Sequence, residues 1–276
     1  MSVKIITDSA YDIPEGMEEG LNIGIISLKF RFGLEEFMDR SMSMKNFIER
    51  INQFWPTTSA PAPGEYIQAF KESLKTYEKV ICITVSSKHS ASFSSAVLAG
   101  QQFPKGAVTV VDSESLSLGQ GHLVFEAARE ALQGASVEKI IARLKELKKR
   151  LHLFIALDTI ENLVKGGRAD QITGFLAGLF KIRPILTVVN GQLTLVSKQV
   201  GRQASIRKLL EFARRRLPAE KVMVAHIHCL EEAVRVMASF AEKTGFKEMI
   251  PVVEPGMVLA VHGGPGTLGI LVITQS

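Results

Sequence analysis

Between an apolar run and a helical pattern lie seven residues, Ser86-Ser87-Lys88-His89-Ser90-Ala91-Ser92, four of them serines. Small hydroxyl residues in that position cap a helix. A helix N-terminus with free N–H groups and hydroxyls also holds a phosphate or a carboxylate. Capping by Ser90 alone accounts for one serine, not four, and both readings stand. A second hydroxyl cluster, Thr57-Thr58-Ser59, sits in a proline-rich stretch from Pro56 to Pro63. Prolines hold the preceding residues extended, so a stiff loop here could preorganise donors for an oxyanion; an ordinary polar connection is the alternative.

Two glycine-rich stretches add charge and close approach. Lys165-Gly166-Gly167-Arg168 reads as a helix C-terminus closed by glycine, with cations placed to hold an anion or a partner's acidic surface. Gly201-Arg202 repeats the Gly-Arg pairing after a strand-like run. His262-Gly263-Gly264-Pro265-Gly266 reads as a strand ending in histidine followed by a binding loop. It is neither a P-loop nor a dinucleotide fingerprint. His226 and His228, inside an apolar run, read as structural.

Equally informative is the chemistry that is missing. No G-x-S-x-G elbow accompanies the serines, and His89, three positions from Ser92, is poorly placed to serve as its base. Asp8, Asp12 and Asp39 are scattered, no Cys/His cluster has metal-ligand spacing, and no catalytic residue or metal site is assigned. The net charge of +5 gathers partly in Lys145 to Arg150 and Arg214 to Arg216. These runs read as solvated helix faces. Without interleaved aromatics they argue against nucleic-acid binding and leave at most a transient contact with a membrane surface. Two cysteines in apolar runs, Cys82 and Cys229, fit buried reduced thiols. No signal-peptide pattern opens the chain, and a cytoplasmic location is expected.

The elements that must position these residues fall into two styles. Strand-like runs at Val3–Ile6, Ile23–Phe30, Lys79–Val85 and Ala107–Val111 alternate with helical patterns, as in a parallel α/β sheet of Rossmann-like type. In such sheets ligands bind beyond the strand carboxyl ends, where Thr7-Asp8-Ser9, Ser86-Ser87 and Asp112-Ser113 stand. From Leu153 strands become more frequent: Phe154–Asp158, Ile182–Val189, Gln192–Val200, Lys221–His228, Met257–His262 and Thr267–Ile273. Asn190-Gly191 is a hairpin signal. This half reads as an α+β layer with an antiparallel or mixed sheet and helices on one face. The boundary falls between Lys149 and Leu153, giving domains 1–151 and 152–276.

Taken in order, Thr7-Asp8-Ser9, Thr57-Thr58-Ser59-Ala60-Pro61, Ser86 to Ser92, Val111-Asp112-Ser113, Lys165-Gly166-Gly167-Arg168, Arg202 and His262-Gly263-Gly264-Pro265-Gly266 resemble the DegV family of bacterial fatty-acid-binding proteins. The family is also known as the fatty-acid-binding subunits of fatty acid kinase. The resemblance implies a tunnel between the two domains that encloses one long-chain fatty acid. It implies a carboxylate held by Thr58 and Ser90 with the Ala91 N–H, among Ser59, Ser92, His262 and Gly263. It further implies a separate ATP-dependent kinase subunit that carries the nucleotide and magnesium and forms an acyl-phosphate for phospholipid synthesis, with Arg168 and Arg202 facing that partner or the transferred phosphoryl group. This chain would then need no cofactor of its own and would not be an enzyme alone. Two departures stand out: Ala91 where the family usually has glycine, and Ala60 where it has glutamine. The second half offers apolar surface for a tail in Phe154, Leu157, Phe175, Leu176, Leu179, Phe180 and Ile182, most of which read equally as core, and no individual tail contact is assigned. A stand-alone acyl transferase or hydrolase acting at Ser90 or Ser92 with His262, and a binding module for a small anion, are the other readings.

Overall fold

The computed structural model describes residues 2–174 and 182–275. Phe175, Leu176, Leu179 and Phe180, named above as apolar surface, lie outside the described residues.

The chain begins as a parallel sheet. Strands β1 (Val3–Asp8) and β2 (Ile23–Ile26) are followed by β3 (Lys29–Phe32), β4 (Glu35–Met38), helix α1 (Met44–Ile51) and β5 (Thr57–Ser59). Then come α2 (Pro63–Ser73), β6 (Lys79–Thr84), α3 (Ser92–Gly100), β7 (Val108–Asp112), α4 (Ser117–Leu132) and α5 (Val137–Arg150). The four-stranded sheet has the order β2-β1-β6-β7, every pair parallel. Side chains alternate across it with the two-residue period of a strand. Ile5, Ile81 and Ile83 meet Leu123, Val124, Ile140 and Leu144 of α4 and α5. Ile6 and Cys82 meet Tyr66 and Phe70 of α2 and Ala96 of α3.

The run expected as one strand, Ile23–Phe30, is broken at Ser27-Leu28. There the chain leaves the parallel sheet and starts a second one, three antiparallel strands in the order β4-β3-β5. Thr57-Thr58-Ser59, expected as a loop, is therefore a strand: Thr58 pairs with Phe30. Proline-flanked residues are extended already, and an edge strand needs little more.

Helix α5 passes at Arg150–Leu151 directly into β8 (Leu151–Ala156). Helix α6 (Glu161–Lys165), β9 (Arg183–Val189), β10 (Gln192–Gln199), α7 (Arg202–Arg214), β11 (Ala219–His226), α8 (Leu230–Thr244), β12 (Val252–Val253), α9 (Met257–Gly263) and β13 (Leu268–Thr274) follow. The six strands form a mixed sheet, β10-β9-β8-β13-β11-β12, antiparallel except for β11–β12. The β9–β10 hairpin turns at Asn190 (φ 49°) and Gly191 (φ 80°), as the Asn-Gly pair predicts. Helices α7 and α8 cover one face through Leu209, Leu210, Val236 and Phe240. The other face turns toward the parallel sheet, where Leu118 of α4 packs on Leu153, Met223 and Leu271.

One expected strand is a helix. Met257–His262 forms most of α9, packed on α1 and β3 through Met257, Val258 and Val261. A short apolar run does not distinguish strand from buried helix by period. Its position between two sheets, with helices on several sides, decides for the helix. Cys229 likewise lies just before α8 rather than in a strand.

Candidate functional site

Thr58 and His262 are 204 residues apart in sequence, and Thr58 Oγ1 lies 3.1 Å from His262 Nε2. Strand β5 presents the hydroxyl and α9 the imidazole. Helix α9 is seated by Asp39, which accepts from the Val258 N–H (3.1 Å) and from Ser9 Oγ (2.8 Å). Gly256 leaves room for that carboxylate, since a Cβ there would lie 2.6 Å from Asp39 Oδ2. Arg40 joins Asp39 to Asp12, donating to Asp12 from its guanidinium and to Asp39 from its N–H. The aspartates that look scattered in sequence thus act as supports, and burial pushes the Asp12 and Asp39 pKa values up.

Burial, with Arg168 and then His89 beside it, pushes the His262 pKa down to about 3. The ring is neutral at neutral pH, and its Nδ1 has no hydrogen-bond partner among the described residues. If Nε2 carries the proton and donates to Thr58 Oγ1, the Thr58 O–H is free to donate outward, the arrangement a carboxylate requires.

Ser90 Oγ accepts from the Ser92 N–H at 3.2 Å and lies 2.9 Å from Ser92 Oγ. Capping and ligand binding are compatible here, because a hydroxyl that accepts from a backbone N–H still has its own proton to give. Ser92 is fully buried behind Ser90, toward Asp8. Asp8 accepts from the Val85 and Ala10 N–H groups and from Gln120 Nε2, yet burial still pushes its pKa up to about 6. Ala91 has φ −76° and ψ −1°. That is ordinary helical backbone, so alanine in place of glycine carries no strain at this position.

His89 is not a base for Ser92. Its Nε2 accepts from the Leu193 N–H (3.0 Å), and its Nδ1 lies 3.3 Å from Gln171 Oε1. Together with Ser86 Oγ, which donates to Gly191 O at 2.7 Å, it ties the serine loop to the β9–β10 hairpin.

The Lys165–Arg168 segment ends α6 as a Schellman motif: the Gly167 N–H donates to Val164 O (3.0 Å) and the Arg168 N–H to Leu163 O (2.9 Å), with Gly167 at φ 68°. Arg168 is half-buried and donates to Gly166 O at 2.8 Å.

Two cavities meet at His262. One is lined by Thr58, Ser59, His89, Ser90, Arg168 and His262 among apolar neighbours. The other is almost wholly apolar, with Ile155, Leu157, Leu186, Ala225, Ile227 and Gly263 in its wall. Both share Leu116, Leu163, Leu193, Leu259 and His262.

Family comparison follows directly from this geometry. The family model described as uncharacterised protein, DegV family, matches residues 2–275. This chain belongs to the DegV family. The DegV protein of Bacillus subtilis is 32% identical over 98% of both chains, and a DegV domain-containing protein of Staphylococcus aureus strain MRSA252 is 31% identical over 98% of both. A crystal structure of Bacillus subtilis DegV, described as a fatty acid binding protein, superposes with TM-score 0.88 at 31% identity over 100% of both chains. A DegV family protein from Thermus thermophilus, described by its fatty acid binding, gives TM-score 0.88 at 26% identity, again over 100% of both.

Of the residues singled out in this DegV chain's sequence, Thr58, Ser59, Ser90, His262 and Arg168 line one cavity and Gly263 the other. Ala91 and Ser92 line neither, the first exposed and the second behind Ser90. Arg202 also lines neither: its guanidinium pairs with Glu232 and reaches Asp158 at 3.5 Å. Burial works against that charge, but the two acids outweigh it and raise the pKa. His226, read as structural, is a wall residue of the apolar cavity. Leu116, Leu163, Leu193 and Leu259 carried no signal, since an apolar cavity wall and a core residue have the same composition. Among the described residues no helix is long and apolar enough to cross a membrane.

Proposed function

We propose that this protein binds one long-chain fatty acid, with the carboxylate between Thr58 and Ser90 and the acyl chain in the apolar cavity beyond His262. The observation that carries the reading is the junction of the two cavities at His262. One end offers hydroxyl donors beside a cation, and the other offers apolar wall. A carboxylate leaving water needs such donors. Each buried methylene contributes about 0.8 kcal/mol, so the chain supplies most of the affinity. Fatty acid binding by the Bacillus and Thermus relatives supports the same reading.

In this reading residues 1–151 supply the head-group hydroxyls and residues 152–276 most of the tail wall, with Arg168 and His262 of the second part reaching the head group. Ser92 and the Ala91 N–H back the head-group site, with Ser92 acting through Ser90. A separate kinase subunit supplies ATP and magnesium and phosphorylates the bound acid, and the acyl-phosphate feeds phospholipid synthesis in the cytoplasm. Arg168, beside the head-group cavity, faces the transferred phosphoryl group, and Arg202, outside both cavities, faces the kinase. The protein itself performs no chemistry. A serine hydrolase would need a base oriented by an acid, and His262 Nδ1 has no partner among the described residues. A small-anion module leaves the apolar cavity without purpose.

The test is native mass spectrometry of protein purified from cells, followed by denaturation and lipid identification. One co-purified long-chain acid per chain is expected. A protein that is empty and takes up no added fatty acid would overturn the reading.

A further inference from the structure

The apolar cavity has a cause in the register of the mixed sheet. Along the face turned toward α4, one cross-strand row runs Leu186 (β9), Ile155 (β8), Gly269 (β13), Ala225 (β11). Two large side chains are followed by a glycine and an alanine, so the row is hollow on one side. Two residues along the strands, and hence on the same face, the next row is Leu153, Leu271, Met223. All three are large and buried, and Leu118 of α4 seals them from above. Leu153 alone of these three reaches the cavity. The hollow row therefore ends against a filled one.

Glycine inside a strand weakens it and marks a place where another group approaches closely. The backbone does not require Gly269: its φ lies outside the left-handed region, and a Cβ there would meet Ala225 Cβ at 3.4 Å and Phe154 O at 3.9 Å, ordinary contacts. The fold would accept a side chain at 269. The cavity would not.

We propose that the pair Ala225–Gly269 is the chain-length gauge of this protein, with the row Leu153–Leu271–Met223 as its end stop. The inference rests on the fatty acid reading above and adds to it which residues choose among acids. Small side chains at 225 and 269 leave the space for the last methylenes of the tail, and Leu153, with Leu271 and Met223 packed beside it, ends that space.

The experiment uses delipidated full-length protein and a series of saturated acids of increasing length, with affinity measured by calorimetry. In the unaltered protein affinity rises about fourfold per methylene, the equivalent of about 0.8 kcal/mol, and then levels off. In Gly269→Val short acids bind as before, while the levelling-off moves at least two methylenes earlier. In Met223→Ala it moves later. Gly269→Ala, with its ordinary contacts, gives a smaller shift in the same direction and serves should the valine variant fail to fold. If the length profile of the glycine and methionine variants matches that of the unaltered protein, the gauge is elsewhere and the fatty acid reading stands. If the unaltered protein binds no acid of any length, the fatty acid reading fails and takes the gauge with it.

Discussion

Gly166 and His262 touch so closely that a Cβ on Gly166 would lie 2.4 Å from His262 Nδ1. Gly166 has φ −76°, a conformation open to any residue, so the main obstacle to a side chain is the imidazole, with Asn162 O next at 3.0 Å. A reciprocal contact lies nearby: a Cβ on Gly264, just after α9, would lie 2.5 Å from the Asn162 side chain of α6. The two short helices are thus locked together through glycines, and the lock sets the imidazole against Thr58.

Gly166→Ala is therefore expected to push the imidazole off Thr58 and weaken fatty acid binding about tenfold, the scale of one hydrogen bond to a charged group. Calorimetry on the delipidated variant checks this. Unchanged affinity would mean that the His262–Thr58 contact is dispensable for the head group.

Thr58→Ala and Ser90→Ala should each weaken binding by about 1–3 kcal/mol, because the bound carboxylate loses a donor that burial makes costly to lose. Ser92→Ala, behind Ser90, should lower the melting temperature as well as affinity. Equal affinities for all three variants and the parent protein would move the head group away from this cluster.

His262 gives a pH dependence with a definite sign. Its folded-state pKa of about 3 lies below the ordinary histidine value of 6.5. The unfolded chain therefore binds more protons, and the stability due to this group is present above pH 6.5 and lost as pH falls toward 3. Between pH 6.5 and 5 the delipidated protein should lose about 2 kcal/mol relative to His262→Gln. Urea unfolding of both proteins at the two pH values measures the difference, and parallel curves would contradict the shift.

The two arginines should separate. Arg168 is the first charged neighbour that lowers the His262 pKa, so Arg168→Met should move the imidazole titration upward, read by NMR of the histidine ring. Arg202 pairs with Glu232 and Asp158 outside both cavities, so Arg202→Ala should spare acid binding and impair phosphoryl transfer by the partner kinase. Loss of acid binding in Arg202→Ala with normal transfer would invert these roles.

Much of this arrangement is legible in local sequence because its causes are local. Alternating Ile5-Ile6 and Ile81-Cys82 require a strand covered on both faces, and Asn190-Gly191 requires a tight hairpin turn. Gly166-Gly167 closes α6 by hydrogen bonds within six residues. The serine run and Thr58 declare hydroxyl chemistry by composition, and the ordered motifs declare the family. By contrast, Met257–His262 has no period that separates strand from helix, and packing on α1 and β3 chose the helix.

The sequence by itself therefore determined the element types with strong periods, the turns, the hydroxyl-rich segments, and the family. Tertiary structure alone decided that Thr58 and His262 meet, that Asp39 seats α9, that Arg202 turns away from the cavities, and that Gly269 lies in a hollow row. The physical reason is range. Propensity and capping act over a few residues, while a cavity is space left between elements brought together from distant parts of the chain, and no local pattern records it.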